Sequence, residues 1–581
     1  MKGTTGRIGV VCALLVLVFT TFAWRLIHLQ ILQYDYFSKL AAQKHLRCQP
    51  IPAKRGRILD RNGEELAVNI PVRTVTADGT HIKDPAALAA VAAPFLEMPV
   101  EELAGKLSPA VKGKRPYVVI KKEVAEEKAQ AMIAAMEKAR LRGLYLEEGS
   151  VRSYPNGEML CHVLGFVDHS GHGIDGIEKS FDSELRGQDG FRWIEHDRKG
   201  LEIVTYRGQE QLPENGSDIR LTIDMGLQAI VEKEVDAAFR DLHPAGAAAI
   251  LVDPQTGEIL AMANRPNFDP NKFNEAKPEE MRNRIITDMY EPGSVFKIVV
   301  ASAALNEGIV SDRTRIFCEN GLFSYGGKTV KDHHKAGDMS LAEILQYSSN
   351  IGSAKMSLMM KDQKYYDYVR AFGFGEKTGI PLQGEISGLV NPPRRWDMLT
   401  KTRMAFGQSV SVTPIQMIMA MSSVGNAGKL MKPRLVLSRG EGSTPSETEA
   451  PRQIVREETS KFIANALQKV VSKEGTAPLA AIDGFTVAGK TGTAQKVGPH
   501  GGYLNDRYIV SFAGFFPAEH PRLTGLVIVD DAKIGAAANY GGLVAAPIFA
   551  HIGGRAARYL DIQQENAVAQ ANASSNQASN R

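Results

Sequence analysis

Residues 483–496 read DGFTVAGKTGTAQK, and whether this stretch forms a loop or a strand decides the fold class of the chain. Gly484 to Thr491 match the pattern G-x-x-x-x-G-K-[ST], which in nucleotide hydrolases is a phosphate-binding loop. Such a loop needs small residues between its glycines and a helix that starts at the lysine. Here residues 485–488, FTVA, favour a strand, and a proline and several glycines follow Lys490. The stretch is therefore predicted to be a strand, which argues against ATP hydrolysis.

The tetrapeptide K-T-G-T at the centre of this stretch is a candidate binding site for an anion. We place Lys490 near the end of the strand, with Thr491 and Thr493 on the same side by two-residue alternation and Gly492 between them. An ammonium group beside two hydroxyls is suited to gripping a carboxylate.

The candidate nucleophile lies in the segment MYEPGSVFKIVVASAAL. Ser294 follows a Pro-Gly pair at the start of a predicted helix, and Lys297 lies one helical turn along on the same face. Partial burial would lower the pKa of the amine, so that the neutral nitrogen could accept a proton from the serine. The helix N-terminus would also favour an alkoxide. The plainer alternative is a serine cap beside a solvated lysine.

A third short motif, S-x-N at Ser348 and Asn350, could relay a proton and position a substrate amide. None of the three motifs is specific alone. S-x-N recurs at Ser574, and K-T-G recurs at 377–379 in a glycine-broken loop, which we reject because no strand precedes it. The ordered set is specific: S-x-x-K at a helix start, then S-x-N, then K-T-G-T on a late strand. It predicts a serine–lysine acyl transferase.

The order of strand and helix patterns predicts an α+β fold. Segments 218–239 and 245–264 indicate a strand that feeds a helix and then a hairpin, helical patterns dominate from about 290 to 475, and strands return near 485–531. Strands at both ends with helices between suggest an antiparallel sheet closed by the two ends of the segment. Farther upstream, D-R-N-G at 60–63 predicts a hairpin turn, and helices are predicted at 84–96 and 123–140.

The N-terminus carries an apolar stretch, residues 8–24, that is about long enough to span a bilayer as a helix. A cleaved signal peptide is the alternative, because Thr21-x-Ala23 is a tolerable cleavage site. The apolar character continues past Trp24, which favours an uncleaved anchor. Basic residues on both sides leave the orientation open.

The composition of the chain bears on nucleic-acid binding, on the number of domains and on metal binding. The chain has 581 residues, 44% of them hydrophobic and 23% charged, with a formal charge of +4 that gives no reason to expect nucleic acid. Its length predicts two or more domains. Four scattered cysteines and one adjacent histidine pair, His333–His334, have no metal-ligand spacing, so we expect no metal site.

The chain resembles the class B penicillin-binding proteins, the monofunctional peptidoglycan transpeptidases. Beyond the three motifs, the resemblance rests on the segments RGRILDRNGEELA, RSYPNGEMLCHVLGF, GIDGIEKSFDSELRG, YEPGSVFK, AFGQSVSVTPIQ and NYGGLVAAPIF. It implies an N-terminal anchor helix, an elongated β-rich pedestal, and a transpeptidase domain with a five-stranded antiparallel sheet between helices and a helical subdomain. The expected limits are a cytoplasmic tail at 1–7, an anchor at 8–24, a juxtamembrane helix at 25–44, a pedestal at 45–215, a transpeptidase domain at 216–561 and a disordered tail at 562–581.

The resemblance also implies roles. Ser294 would attack the carbonyl between two D-alanines of a pentapeptide stem while Lys297 takes its proton, and Ser348 and Asn350 would assist. Lys490, Thr491, Gly492 and Thr493 would bind the terminal carboxylate, with the backbone N–H groups of Ser294 and Thr493 as oxyanion hole. β-Lactams would acylate the same serine. No cofactor is implied.

The resemblance also implies that the catalytic domain lies outside the cytoplasmic membrane, with a membrane glycan polymerase and division-complex proteins as expected partners. The length and the short cytoplasmic tail look most like the division-specific member, although Asp530-Asp531-Ala532-Lys533 departs from its usual acidic–proline pair. The alternatives are an elongation-specific transpeptidase, a β-lactam sensor or hydrolase, and a non-catalytic scaffold.

Overall fold

The computed structural model describes residues 2–37, 46–111, 117–196, 202–440, 449–498, 502–535 and 538–564. The α-helices are α1 (Lys2–Ile27), α2 (Pro85–Leu96), α3 (Val100–Val111), α4 (Glu126–Lys138), α5 (Cys161–Leu164), α6 (Gly176–Ser180), α7 (Asp182–Arg186), α8 (Met225–Leu242), α9 (Pro278–Met281), α10 (Arg284–Thr287), α11 (Lys297–Asn306), α12 (Leu341–Gln346), α13 (Asn350–Leu358), α14 (Asp362–Ala371), α15 (Thr400–Met404), α16 (Pro414–Gly425), α17 (Glu457–Val471) and α18 (Gly541–Tyr559).

The strands are β1 (Leu46–Ile51), β2 (Ile58–Leu59), β3 (Glu65–Asp78), β4 (Tyr117–Ala125), β5 (Leu144–Ser153), β6 (Gly190–His196), β7 (Glu202–Gln211), β8 (Ile219–Leu221), β9 (Gly246–Val252), β10 (Ile259–Arg265), β11 (Arg315–Phe317), β12 (Leu322–Tyr325), β13 (Lys328–Lys331), β14 (Asp338–Ser340), β15 (Lys429–Leu430), β16 (Val436–Arg439), β17 (Arg452–Gln453), β18 (Ala488–Val497), β19 (Tyr503–Phe516) and β20 (Leu523–Asp530).

The chain divides into two compact bodies, and the smaller contains residues up to 55 together with 186–216. Its helical run Gly6–Leu32, which ends in a π-helical turn, is apolar and unburied. At 1.5 Å per residue the 27 residues rise about 40 Å, more than the ~30 Å of a bilayer core. The helix is thus longer than the predicted 8–24, and it already contains the start of the predicted juxtamembrane helix. Strands β1, β6 and β7 form a three-stranded sheet in the same body.

The second body begins with the predicted D-R-N-G hairpin, which the structure confirms. The Asp60 carboxylate accepts the N–H groups of Asn62 and Glu64, and these bonds hold the turn between β2 and β3. The helix predicted from 84 is also confirmed, with Asp84 capping α2. The helix predicted at 123–140 is shorter at both ends. It starts later because residues 123–125 complete β4, where Val124 and Ala125 pair with β3.

A six-stranded sheet in this body runs in the order β16-β8-β2-β3-β4, with β5 on β3. Strand β8 lies after residue 216, whereas β2 lies before residue 60, and the two strands pair in parallel. Strands from both sides of the predicted domain limit therefore share one sheet. The predicted domain limits themselves stay predictions.

The sheet that positions the candidate site has five strands in the order β10-β9-β20-β19-β18, each pair antiparallel. This confirms the prediction that strands from the two ends of the segment close one sheet. Along β19, Phe512 packs against Phe549 of α18 and Phe515 lies against Gly425 of α16. Because alternate side chains of a strand point to opposite faces, helices cover both faces of the sheet. Strand β18, with the K-T-G-T motif, is its edge.

Candidate active site

Ser294 lies in a single 3₁₀ turn, Gly293–Phe296, that runs directly into α11. Three glycines let the surrounding backbone approach this turn. Gly293 has φ +55° and donates its N–H to the carbonyl of Gly407. A Cβ added to Gly407 would lie 2.1 Å from the carbonyl oxygen of Gly293. On the other side, a Cβ on Gly492 would lie 2.8 Å from the Pro292 oxygen. The turn that carries Ser294 is thus held between the loop that contains Gly407 and strand β18.

Lys297 is fully buried, at 0% exposure, and its Nζ lies among four oxygen atoms. It is 3.0 Å from Ser294 Oγ, 2.6 Å from the Ser348 carbonyl, 3.0 Å from Ser348 Oγ and 2.7 Å from Asn350 Oδ1. Burial holds the pKa of Lys297 well below its usual value, the charge of Lys490 lowers it further, and Asp332 acts in the opposite direction. These contacts contradict the reading of Lys297 as a solvated lysine.

Ser348 and Asn350 reach Lys297 from the junction of α12 and α13. Ser348 has φ +59°, a left-handed conformation that turns both its carbonyl and its hydroxyl toward the amine. The next residue, Ser349, caps α13 by accepting the N–H of Gly352 at 2.9 Å. Asn350 is then the first residue of α13, which fixes its side chain at the helix start.

Lys490 is the third residue of β18, so the prediction that it lies near the end of the strand is wrong. The strand continues through the glycine of the motif to Val497 and pairs with β19, which confirms that the stretch is not a phosphate loop followed by a helix. Lys490 is fully buried, and burial lowers its pKa to about 7. Its Nζ lies 3.4 Å from Thr491 Oγ1.

Thr493 joins β18 to the rest of the site. Its hydroxyl accepts the N–H of Gly541 at 3.2 Å, where α18 begins, and its carbonyl oxygen would lie 3.1 Å from a Cβ placed on Gly293. Strand β18 therefore contacts the Ser294 turn at Gly492 and Thr493. The structure brings the eight residues singled out in the sequence into one cluster: Ser294, Lys297, Ser348, Asn350, Lys490, Thr491, Gly492 and Thr493.

The second copy of K-T-G lies elsewhere. Thr378 is in a loop, and both its N–H and its hydroxyl bind Glu385. Its rejection as part of the site is confirmed, while the S-x-N copy at Ser574 lies outside the described residues. Within the described ranges, no three His, Cys, Asp or Glu side chains come together as metal ligands, and the absence of a metal stays a prediction.

Three residues of the site were missed from the sequence. Gly407 packs on Gly293, and Asp332 binds the start of α13. Glu291 accepts the N–H of Ser409 at 2.8 Å and the hydroxyl of Tyr503 at 2.9 Å. For Gly407 and Glu291 the segments AFGQS and YEPGSVFK were signals of family membership, but neither segment indicates the contact. Asp332 lies in no motif.

Comparison with known proteins agrees with this geometry. Residues 247–553 match the family model described as the penicillin binding protein transpeptidase domain, and residues 50–221 match the penicillin-binding protein dimerisation domain. The chain belongs to the class B penicillin-binding proteins. The predicted α+β architecture, with an apolar N-terminal helix, a pedestal and a transpeptidase domain, is thereby confirmed.

Individual relatives match over nearly the whole chain. Peptidoglycan D,D-transpeptidase FtsI of Escherichia coli K12 is 34% identical over 565 residues, which cover 96% of this chain and 92% of that protein. Stage V sporulation protein D of Bacillus subtilis is 37% identical over 548 residues, covering 92% and 83%. The crystal structure of penicillin binding protein 3 of Mycobacterium tuberculosis with aztreonam superposes with a TM-score of 0.68 at 28% identity, covering 89% of this chain and 98% of that one.

Proposed function

We propose that this penicillin-binding protein is a serine-type peptidoglycan D,D-transpeptidase in which Ser294 is the nucleophile and Lys297 its general base. The observation that carries the proposal is the environment of the Lys297 amine. Two of its four neighbours, the Ser348 carbonyl and Asn350 Oδ1, can only accept hydrogen bonds. A neutral amine has two N–H groups and one lone pair, so satisfying both acceptors leaves the lone pair for a hydroxyl.

The two hydroxyls, Ser294 Oγ and Ser348 Oγ, are both 3.0 Å from Nζ. Lys297 can therefore take the proton of Ser294 during attack and exchange it with Ser348. In this proposal Ser348 passes that proton to the departing amine of the substrate. The lowered pKa of Lys297 makes the neutral form available for this role.

Substrate binding is assigned to β18. The terminal carboxylate of the stem peptide would meet Lys490, Thr491 and Thr493, and it would restore the charge of an ammonium whose pKa burial has lowered. Gly492 has no side chain, which lets β18 approach Ser294. The backbone N–H groups of Ser294 and Thr493 would hold the oxyanion, because β18 contacts the turn at this point.

The reaction follows from these roles. Ser294 Oγ forms a bond to the carbonyl carbon between the two D-alanines, the peptide C–N bond breaks, and the last D-alanine leaves with the transferred proton. The amine of a neighbouring stem then attacks the acyl-enzyme and regenerates the serine, which forms the cross-link. A β-lactam acylates the same hydroxyl, but the opened ring stays attached.

We also propose that α1 anchors the protein in the cytoplasmic membrane, with the catalytic domain on its outer side, a pedestal at 45–215 and a transpeptidase domain at 216–561. The length and apolar surface of the Gly6–Leu32 run support the anchor. A membrane glycan polymerase and division-complex proteins are the proposed partners, and septal synthesis the proposed role. Depletion of the protein should produce filamentous cells, whereas rounded cells would favour a role in elongation.

The activity is tested with benzylpenicillin. Intact-mass measurement should find one adduct per chain, located on the peptide that contains Ser294, and Ser294→Ala should abolish both the adduct and cross-linking in cells. An adduct at another residue would contradict the assignment of the nucleophile. Rapid release of the opened ring by hydrolysis would instead indicate a β-lactam hydrolase. Undiminished cross-linking in cells that carry Ser294→Ala would indicate a non-catalytic scaffold.

A further inference from the structure

The exit of the β12–β13 hairpin lies against the start of α13, beside the amine of Lys297. Asp332 directly follows β13, and its N–H donates to the Gly321 carbonyl at 3.1 Å, which closes the hairpin. Its Oδ1 accepts the N–H of Asn350 at 2.6 Å and the N–H of Ile351 at 3.1 Å, while its Oδ2 accepts the hydroxyl of Ser349. One carboxylate thus holds three donors on consecutive residues of the S-x-N region.

Helix capping alone does not account for these contacts. Ser349 already caps α13 with its hydroxyl oxygen, so the helix has a local cap without Asp332. The carboxylate comes from a separate element, 18 residues before Asn350. What Asp332 adds is a fixed connection between the hairpin and the backbone on which Asn350 sits.

The same hairpin exit sets which atom of the Asn350 amide faces the catalytic amine. Asn350 Nδ2 donates to the carbonyl of Lys331 at 3.0 Å, which leaves Oδ1 pointing at Lys297 Nζ at 2.7 Å. If the amide were reversed, two N–H groups would face Lys297, and the amine would lose an acceptor. Its lone pair would then no longer be reserved for the hydroxyls of Ser294 and Ser348.

We propose that Asp332 is a positioning residue of the acylation centre: it holds Asn350 with its amide oxygen toward Lys297 and places a negative charge beside that buried amine. The proposal rests on the proposed transpeptidase function and deepens it. The side-chain contacts of Asp332 are with residues 349–351 and not with Ser294. Asp332 acts through the side chain of Asn350, which binds one N–H of Lys297 and so directs the lone pair of the amine at the serine.

The charge has a separate consequence for the pH dependence of acylation. The charged groups that act on Lys297 are Lys490 of β18, which lowers its pKa, and Asp332, which raises it. Asp332 also acts on the Cys318 thiol, whose pKa is raised by burial and further by Asp332 and Asp338, and lowered by Lys355. Loss of the Asp332 charge lowers the pKa of Lys297. Because Lys297 must be neutral to accept a proton, the acid limb, which is the acidic side of the pH–rate profile where acylation slows, then moves to lower pH.

The experiment measures the rate of acylation by a fluorescent penicillin as a function of pH, with the full chain in detergent. Asp332→Asn is expected to lower the maximal rate about ten- to hundred-fold, as for a small misplacement of a reacting group, and to move the acid limb to lower pH. Asp332→Glu keeps the charge, so its rate should lie between those of Asp332→Asn and wild type with the limb unmoved. Ser349→Ala, which removes one of the three donors, should also leave the limb in place.

A matched control is Asp338→Asn, an exposed acid on neighbouring β14, which should have the rate and limb of wild type. The proposal is overturned if Asp332→Asn acylates like wild type, or more slowly with an unmoved limb. Should Asp332→Asn not fold, a wild-type rate for Asp332→Glu overturns it instead. Failure of the transpeptidase assignment is distinguishable, because the wild-type protein itself would then form no adduct at Ser294.

Discussion

Lys297 and Lys490 are both fully buried in the same site, and the positive charge of Lys490 lowers the pKa of Lys297. Burying two charged amines would ordinarily destabilise the folded state, since each ammonium group loses its hydration. Here burial serves the proposed proton transfer by Lys297 and the proposed carboxylate binding by Lys490. It keeps one amine neutral for proton transfer, and it leaves the other, with a pKa of about 7, ready to gain charge when a carboxylate binds.

This relationship predicts the effect of Lys490→Met. Removing the Lys490 charge removes one cause of the low pKa of Lys297, so that pKa rises. Lys297 is then protonated at higher pH, and the acidic side of the pH–rate profile for penicillin acylation moves to higher pH. The apparent affinity for penicillin should also fall, because its carboxylate loses a partner. Stopped-flow acylation across pH measures both. Lys496→Met, on the same strand but paired with Asp530, is the control and should leave the limb unmoved.

Ser348 allows proton transfer and backbone strain to be separated. Both Ser348→Ala and Ser348→Gly remove the hydroxyl beside Lys297, so each should slow acylation about 10²- to 10⁴-fold, as expected for loss of a proton-transfer group. At φ +59°, however, glycine is unstrained and alanine is not. Ser348→Gly should therefore be the more stable variant by about 1 kcal/mol in denaturant unfolding. A large difference between their acylation rates would show that the conformation of this residue, rather than its hydroxyl, limits the reaction.

The motifs could be recognised from the sequence because their residues are local: Ser294 and Lys297 share a helical turn, and Lys490 to Thr493 share a strand. The sheet followed from alternation and turn residues, as in β9 and β10. Asp332 could not be found in this way, since its contacts depend on a hairpin that packs against α13 from outside the motif. Gly407 was missed for the same reason, because a close approach of two loops leaves no periodic pattern. The position of Lys490 in β18 was misjudged because strand propensity declines at the glycine, whereas pairing with β19 continues past it.

The clamp on the nucleophile predicts that Gly407→Ala abolishes acylation. The new Cβ would lie 2.1 Å from the carbonyl oxygen of Gly293, closer than atoms can approach, so the turn that carries Ser294 must shift. Gly308→Ala is a matched control: it has a similarly positive φ of +69°, but no atom lies within 4 Å of its added Cβ. Both variants should lose about 1 kcal/mol of stability from backbone strain. In penicillin-binding assays only Gly407→Ala should fail, and retained labelling would show that the turn tolerates displacement.

The acidic pair that departs from the family pattern predicts a pH-dependent contribution to stability. Burial alone would raise the pKa of Asp531, but its ion pairs with Arg507 and Lys533 lower it to about 2. Because the folded-state pKa is depressed, the stabilisation is present above the unfolded pKa of about 3.9 and is lost as the pH falls through about 2. Asp531→Asn should therefore lower the melting temperature at neutral pH, and the difference from wild type should shrink steadily below about pH 4.

Arg507 supplies a second test of this prediction, since it forms an ion pair with Asp531. Arg507→Gln should reproduce part of the loss seen in Asp531→Asn, and the double variant should be no less stable than Asp531→Asn alone, because both changes remove the same ion pair. Thermal unfolding of the four proteins across pH tests this. Additive losses in the double variant would mean that Asp531 and Arg507 stabilise the fold independently, and that the depressed pKa has another origin.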